Sequence, residues 1–148
     1  MERSQKSILT CMCQITKGDE ILVLDKVSRD YSGVTFPGGH IEKDEIITDA
    51  VVREVFEETG LHIKNPVLCG IYDWLLEDGA RYFVFLYRAD KFEGKLQSSA
   101  EGTVRWIKKD HFMQEELAEG METVFRITNS ENLSECFWIR STKEEILK

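Results

Sequence analysis

Glu54, Glu57 and Glu58 fall within one short stretch, with Arg53 directly before the first and Glu45 eight residues ahead of that arginine. On a helix the three carboxylates share a face, because residues three and four apart lie one above the other. With Glu54 at zero on a wheel of about 100° per residue, Glu57 falls near 300° and Glu58 near 40°. Like charges so placed destabilise a bare helix by roughly a few tenths of a kcal/mol per pair, and Arg53, four residues before Glu57, offsets only part of that. A hard divalent cation would offset the rest. Mg²⁺ takes carboxylate and carbonyl oxygens, keeps several waters and bridges to phosphate groups. The chemistry this face suits is metal-assisted reaction of a phosphorylated small molecule.

A helix must hold these residues, and its ends are marked. Thr48 suits an N-cap, Asp49 the positive end of the dipole and Gly60 a left-handed C′ position, which predicts a helix over 49–59. Thr48, Val52, Val55, Phe56 and Thr59 fall between about 100° and 200°, the face expected to bury against a sheet. Upstream, 7–16 and 20–27 read as a hairpin turning at Lys17, Gly18 and Asp19. A short apolar run then ends in Pro37, Gly38 and Gly39, where the chain can adopt backbone angles closed to other residues and the sheet should break. Downstream, 66–76 and 81–89 predict a second hairpin and 103–107 another strand. Helices are expected at about 109–118 and 120–128, followed by a short strand at 136–139. The class is α+β, a sheet interrupted by one central helix. With no repeat or linker, one domain spans 1–148.

The chain has 148 residues, 42% of them hydrophobic, enough for a core without a disulfide or metal staple. Its net charge of −8 disfavours a groove that tracks a nucleic-acid polymer. No sustained apolar stretch of signal or membrane-spanning length follows Met1, so no membrane partner and a cytoplasmic location are expected. The four cysteines lack paired metal spacing and are read as reduced, with Cys11 and Cys13 packed side by side on one strand face.

From Gly39 the sequence runs through five residues to Glu45, through seven more to Arg53-Glu54-Val55-Phe56-Glu57-Glu58-Thr59-Gly60, and on to Leu61. This pattern resembles, at every fixed position, the Nudix box of the Nudix hydrolase superfamily, which includes MutT-like nucleotide diphosphatases. A chance match at a given start is expected roughly once in 10⁹. Phe36-Pro37-Gly38-Gly39 is similar to the strand-to-loop segment that precedes the box in that family. The resemblance implies a Nudix-type α/β/α sandwich with a mixed central sheet and a loop-helix-loop box. It implies Glu54, Glu57 and Glu58 as ligands of one or more Mg²⁺ or Mn²⁺ ions, with Gly38 offering its carbonyl. Glu45, Gly39 and Arg53 would hold the loop and orient the glutamates. The reaction implied is attack of water on a diphosphate joined to another moiety. Its general base is assigned to Glu54, with Glu57 and a glutamate outside the box as competitors.

Outside the box, Glu101 resembles in position a further metal-binding glutamate of MutT-like members. Lys26 and Arg29 leave the second strand close to the box and are candidates for meeting substrate phosphates. The segments 72–78, 81–83 (with Phe83) and 119–125, together with Trp106, look like those that MutT-like members use near a nucleobase. Glu119 and Glu122 are candidates to accept hydrogen bonds from a guanine-type edge. His40 and His62 flank the box in surface or packing roles. The implied substrate is a nucleoside triphosphate, oxidised purine nucleotides included, giving a monophosphate and pyrophosphate. A nucleotide sugar or ADP-ribose is the enzymatic alternative, and a nucleotide-sensing domain without turnover is the non-enzymatic one. The resemblance also allows a homodimer.

Overall fold

The computed structural model describes residues 1–148. In chain order the strands β1 (Ser7–Lys17), β2 (Glu20–Lys26), β3 (Gly33–Thr35) and β4 (Gly38–His40) precede helix α1 (Ile47–Thr59). Then come β5 (Leu61–Lys64), β6 (Val67–Leu75), β7 (Arg81–Ala89), β8 (Lys91–Gly94) and β9 (Gly102–Lys108). A 3₁₀ turn (Lys109–Gln114), helix α2 (Met121–Thr128), β10 (Glu135–Ile139) and β11 (Glu144–Leu147) complete the chain.

β1 organises the sheet. Its end turns into β2 through Gly18, its middle pairs antiparallel with β4, and its whole length from Ser7 to Ile15 pairs in parallel with β7. The strand order is β11-β10-β6-β7-β1-β2-β3, with β9 antiparallel on β2 and β10 parallel to β6, so the sheet is mixed. Alternation along β2 shows why two layers cover it. Leu22 and Leu24 enter a core with Ala50, Val51 and Val55 of α1, whereas Ile21 and Val23 enter a second core with Met121, Val124 and Ile127 of α2. The result is the expected α/β/α sandwich. Cys11 and Cys13 lie buried side by side in the α1 core, and all four cysteines are free.

Several expectations give way to tertiary contacts. Thr48 is not the N-cap: that position is Ile46, which offers no side-chain cap, while the Thr48 hydroxyl lies 3.1 Å from the Tyr87 hydroxyl inside the fold. The buried face of α1 is rotated toward the carboxylates. Ala50 and Val51 are buried along with Val55, Glu58 and Thr59, and Phe56 is exposed, stacked on His62 with ring centroids 4.0 Å apart. The helix expected at 109–118 stops at Gln114. Beyond it the backbone pairs with the edge of β3, Val34 N–H donating to Glu116 and Ala118 N–H to Val34 (2.8 and 3.0 Å), which satisfies edge groups a longer helix would leave open. Strands β3, β4 and β11, and the separate two-stranded β5–β8 sheet, were not foreseen; each has four residues or fewer.

Candidate active site

Arg53 is the hub of the box. Its Nε and Nη2 donate to both oxygens of Glu45 (2.8 and 3.0 Å), its Nη2 also to the His40 carbonyl (2.9 Å), and its Nη1 to Glu54 (2.9 Å) and Glu57 (3.3 Å). All five guanidinium N–H groups are engaged, in a planar fork that lysine lacks. Glu45 in turn accepts the Glu42 backbone N–H (3.0 Å), which closes the loop ahead of α1. The Arg53 guanidinium holds the Glu45 carboxyl well below the usual range, at about 2. These contacts tie Glu45, Glu54 and Glu57 to one guanidinium.

The two glycines before the helix act through closeness, not through unusual backbone angles, since neither has a positive φ. A Cβ on Gly39 would overlap the Glu54 carboxylate, and one on Gly38 would overlap the Cys11 backbone carbonyl. The Gly38 N–H donates to Glu58 Oε1 at 2.6 Å. At the other end of α1, Gly60 takes the left-handed angle expected of it (φ 78°) and donates to the Phe56 carbonyl.

The three glutamates differ in environment. The side chain of Glu57 is 53% exposed and that of Glu54 15%, while Glu58 is 3% exposed. Burial pushes the Glu58 carboxyl up to about 7; the Gly38 N–H and the Lys26 charge pull the other way, and Glu54 and Glu101 add to the rise. Glu101 therefore sits within electrostatic reach of the box. The β2–β9 register, with Lys26 opposite Gly102, brings it to Lys26, whose ammonium it meets at 3.0 Å.

No three Asp, Glu, His or Cys side chains converge on one point in this arrangement. Each candidate ligand has a protein partner instead: Arg53 for Glu54 and Glu57, Gly38 for Glu58, Lys26 for Glu101. The donors nevertheless fit Mg²⁺ or Mn²⁺ chemically. All are hard oxygens, and Glu58 is a buried carboxylate with no cation bonded to it, an arrangement that is costly until a positive charge arrives.

Glu58 and Gly38 stand at one end of a cleft of about 800 Å³ on the α2 side of the sheet. Five strand spacings, about 24 Å, separate β4 at that end from β11 at the other. Of the residues expected near a base, Tyr72, Trp74, Tyr82, Glu119 and Glu122 line the cleft, as does Lys26. Three candidates do not reach it. Phe83 alternates to the opposite face, where it stacks with Phe85 (5.9 Å), because Tyr82 and Val84 take the cleft side of β7. Trp106 packs on Phe92 (5.5 Å) in the α1 core, under the Lys17 ammonium. Arg29 is exposed on the loop after β2 and lies outside the lining. Trp138, Arg140, Lys143 and Glu145 do line the cleft and were missed. The one signal in the sequence was the apolar run at 136–139; its place beside β6 depends on a parallel pairing between segments over sixty residues apart.

The chain matches the NUDIX domain family over residues 7–126. It belongs to the Nudix hydrolase family. It is 34% identical over 99 residues to the uncharacterized Nudix hydrolase YvcI of Bacillus subtilis, covering 64% of this chain and 61% of that relative's length. It is 23% identical to the phosphatase NudJ of Escherichia coli, over 74% of this chain and 73% of the relative. Among solved structures, the MutT protein from Bacillus halodurans superposes with a TM-score of 0.77 at 29% identity, covering 94% of both chains. The NUDIX domain of Shewanella oneidensis NrtR, solved with ADP ribose, shares the fold (TM-score 0.68, 18% identity, 84% and 86% covered). No helix is long and apolar enough to cross a membrane.

Proposed function

We propose that this Nudix chain hydrolyses a nucleoside diphosphate linked to a further moiety with Mg²⁺ or Mn²⁺, and that its substrate is a purine nucleoside triphosphate, including oxidised forms, cleaved to the monophosphate and pyrophosphate. The observation that carries the reading is the buried Glu58 carboxylate, held by the Gly38 N–H at the head of a cleft walled by aromatic rings, with the Arg53-ordered carboxylates directly behind Gly39. The volume of about 800 Å³ suits a nucleotide-sized ligand.

Glu54, Glu57 and Glu58 would hold the ions, with Glu101 and the Gly38 carbonyl as further donors. When bound, such ions neutralise charge on the phosphoryl oxygens and favour attack by water. Arg53, itself held by Glu45, would keep Glu54 and Glu57 in place, and Gly39 leaves room for the Glu54 carboxylate. Glu54 is the first choice to receive the proton of the attacking water, with Glu57 and Glu101 as competitors. Lys26, which lines the cleft, would meet a phosphate once its pairing with Glu101 loosens. The four free thiols agree with a reducing, cytoplasmic setting.

The intact set Arg53, Glu54, Glu57 and Glu58 favours turnover over sensing. Phosphate and pyrophosphate release with Mg²⁺ across nucleoside triphosphates, nucleotide sugars and ADP-ribose tests this, run in ¹⁸O-labelled water to name the phosphorus attacked. A nucleoside triphosphate as the best substrate is the expected result. Preference for ADP-ribose or a nucleotide sugar would replace the substrate, and binding without any product would replace the activity by sensing.

A further inference from the structure

The side of the sheet turned away from the cleft is only partly covered. Register puts Leu9, Phe83, Asp73, Phe137 and Ile146 in one row across β1, β7, β6, β10 and β11 on that side. Ile71 and Leu75 flank Asp73 along β6, because alternate residues of a strand share a face. Helix α1 rests on β1, β4, β5 and β9. Leu9, Ile71, Phe83 and Phe137 pack into neither core, and Leu75 and Ile146 are 42% and 40% exposed.

The polar groups of this face are already arranged for burial. Asp73 is 1% exposed because Arg81 lies across it, donating from Nε and Nη2 to Oδ2 (3.0 and 2.8 Å). The same guanidinium stands over the Phe83 and Phe137 rings, 5.7 and 5.0 Å from their centroids. Asp73 Oδ1 is buried without a donor unless Glu135 takes a proton, and the Glu135 carboxyl is held above the usual range, first by its hydrogen bond with Asp73. Desolvation of the ion pair is thus largely complete within one chain. Covering the face adds apolar contact without stranding a fresh charge.

An apolar surface of this kind marks an interaction site, and area and charge point to a second copy as its occupant. The chain exposes 9019 Å², against about 7,800 Å² for a monomer of 17.2 kDa, an excess of about 1,200 Å². Beside the open cleft, that excess leaves room for the roughly 800 Å² that each partner covers in a standard stable interface. Two chains of −8 repel, and this face meets its like at the least cost because its cation is already neutralised by Asp73. A two-fold axis sets the patch against itself, apolar on apolar. Both clefts stay open, since they lie on the other side of the sheet.

We propose that the uncovered face of β7, β6, β10 and β11, centred on the Asp73–Arg81 pair and its two phenylalanine rings, is the contact surface between two copies of this chain.

Sedimentation equilibrium of the full chain tests it, with no nucleotide or metal present. The wild type should form a dimer with a Kd of about 10 µM or tighter. Leu75→Glu and Ile146→Glu each put a charge into the contact at a site exposed in the single chain, and each should weaken that Kd at least about tenfold. Phe56→Glu, an exposed position on α1 outside the face, should leave it unchanged. A wild type still monomeric at about 100 µM, or a dimer that survives both substitutions, overturns the proposal. A monomeric wild type that instead cosediments with phosphatidylcholine vesicles would give the face to lipid and overturns it equally. Circular dichroism identifies a variant that fails to fold, in which case the other one decides.

Discussion

Glu57 and Glu58 share a backbone turn but occupy different media. Glu57 is half exposed, so Glu57→Gln should leave stability within about 0.5 kcal/mol while lowering kcat by orders of magnitude, measured by urea denaturation beside a Mg²⁺-dependent assay. Glu58 is buried, with its carboxyl raised from an ordinary 4.5 to about 7. Because the folded state binds its proton more tightly than the unfolded one, stability contributed by this group is lost as pH rises from about 4.5 to about 7. In metal-free buffer Glu58→Gln should therefore be the more stable protein at pH 8, by up to about 3 kcal/mol, with the gap closing near pH 5. Thermal melts at the two pH values check this. A variant equally destabilised at both would mean that the carboxylate holds the Gly38 N–H for structure alone.

At the scale of elements, α1 is positioned less by its caps than by what lies under it. Ala50, Val51 and Val55 bury against the sheet, and that orientation turns Glu54 and Glu58 inward over β4. The two glycines of β4 then separate stability from activity. In Gly39→Ala the new methyl meets a side-chain carboxylate that can swing aside, so turnover should fall at least tenfold with a stability loss near 1 kcal/mol. In Gly38→Ala it meets backbone of β1 that cannot move alone, so the loss should exceed about 3 kcal/mol. Denaturation midpoints and kcat for the pair distinguish the two roles; equal effects on both quantities would refute the assignment of Gly39 to the Glu54 cradle.

Across the whole molecule, one sheet carries two faces with different tasks. The α1 face presents the carboxylates at the end of β4, and the α2 face runs the cleft out to β11. Residues 38–61 carry a net charge of −5, seven acids against Lys43 and Arg53. Adding Mg²⁺ should therefore slow amide exchange in 38–61 specifically and leave β10 and β11 unchanged. Unchanged exchange across 38–61 at saturating Mg²⁺ would remove the ion site.

The order and spacing of the chain already carried the box, the class of chemistry and most of the long elements, because side-chain period, glycine stops and the Arg-Glu pattern act over a few residues. Helix α1 begins within two residues of where its pattern placed it, and β6, β7 and β9 within one. What spacing could not carry was set by contacts between distant segments. The burial of Glu58 depends on how α1 rolls on β4, the turning away of Phe83 and Trp106 on which face of a twisted sheet each strand offers, and the arrival of Trp138 and Glu145 on a parallel pairing of β10 with β6. Such pairings are paid for by packing across the whole sheet, and no local pattern encodes that sum.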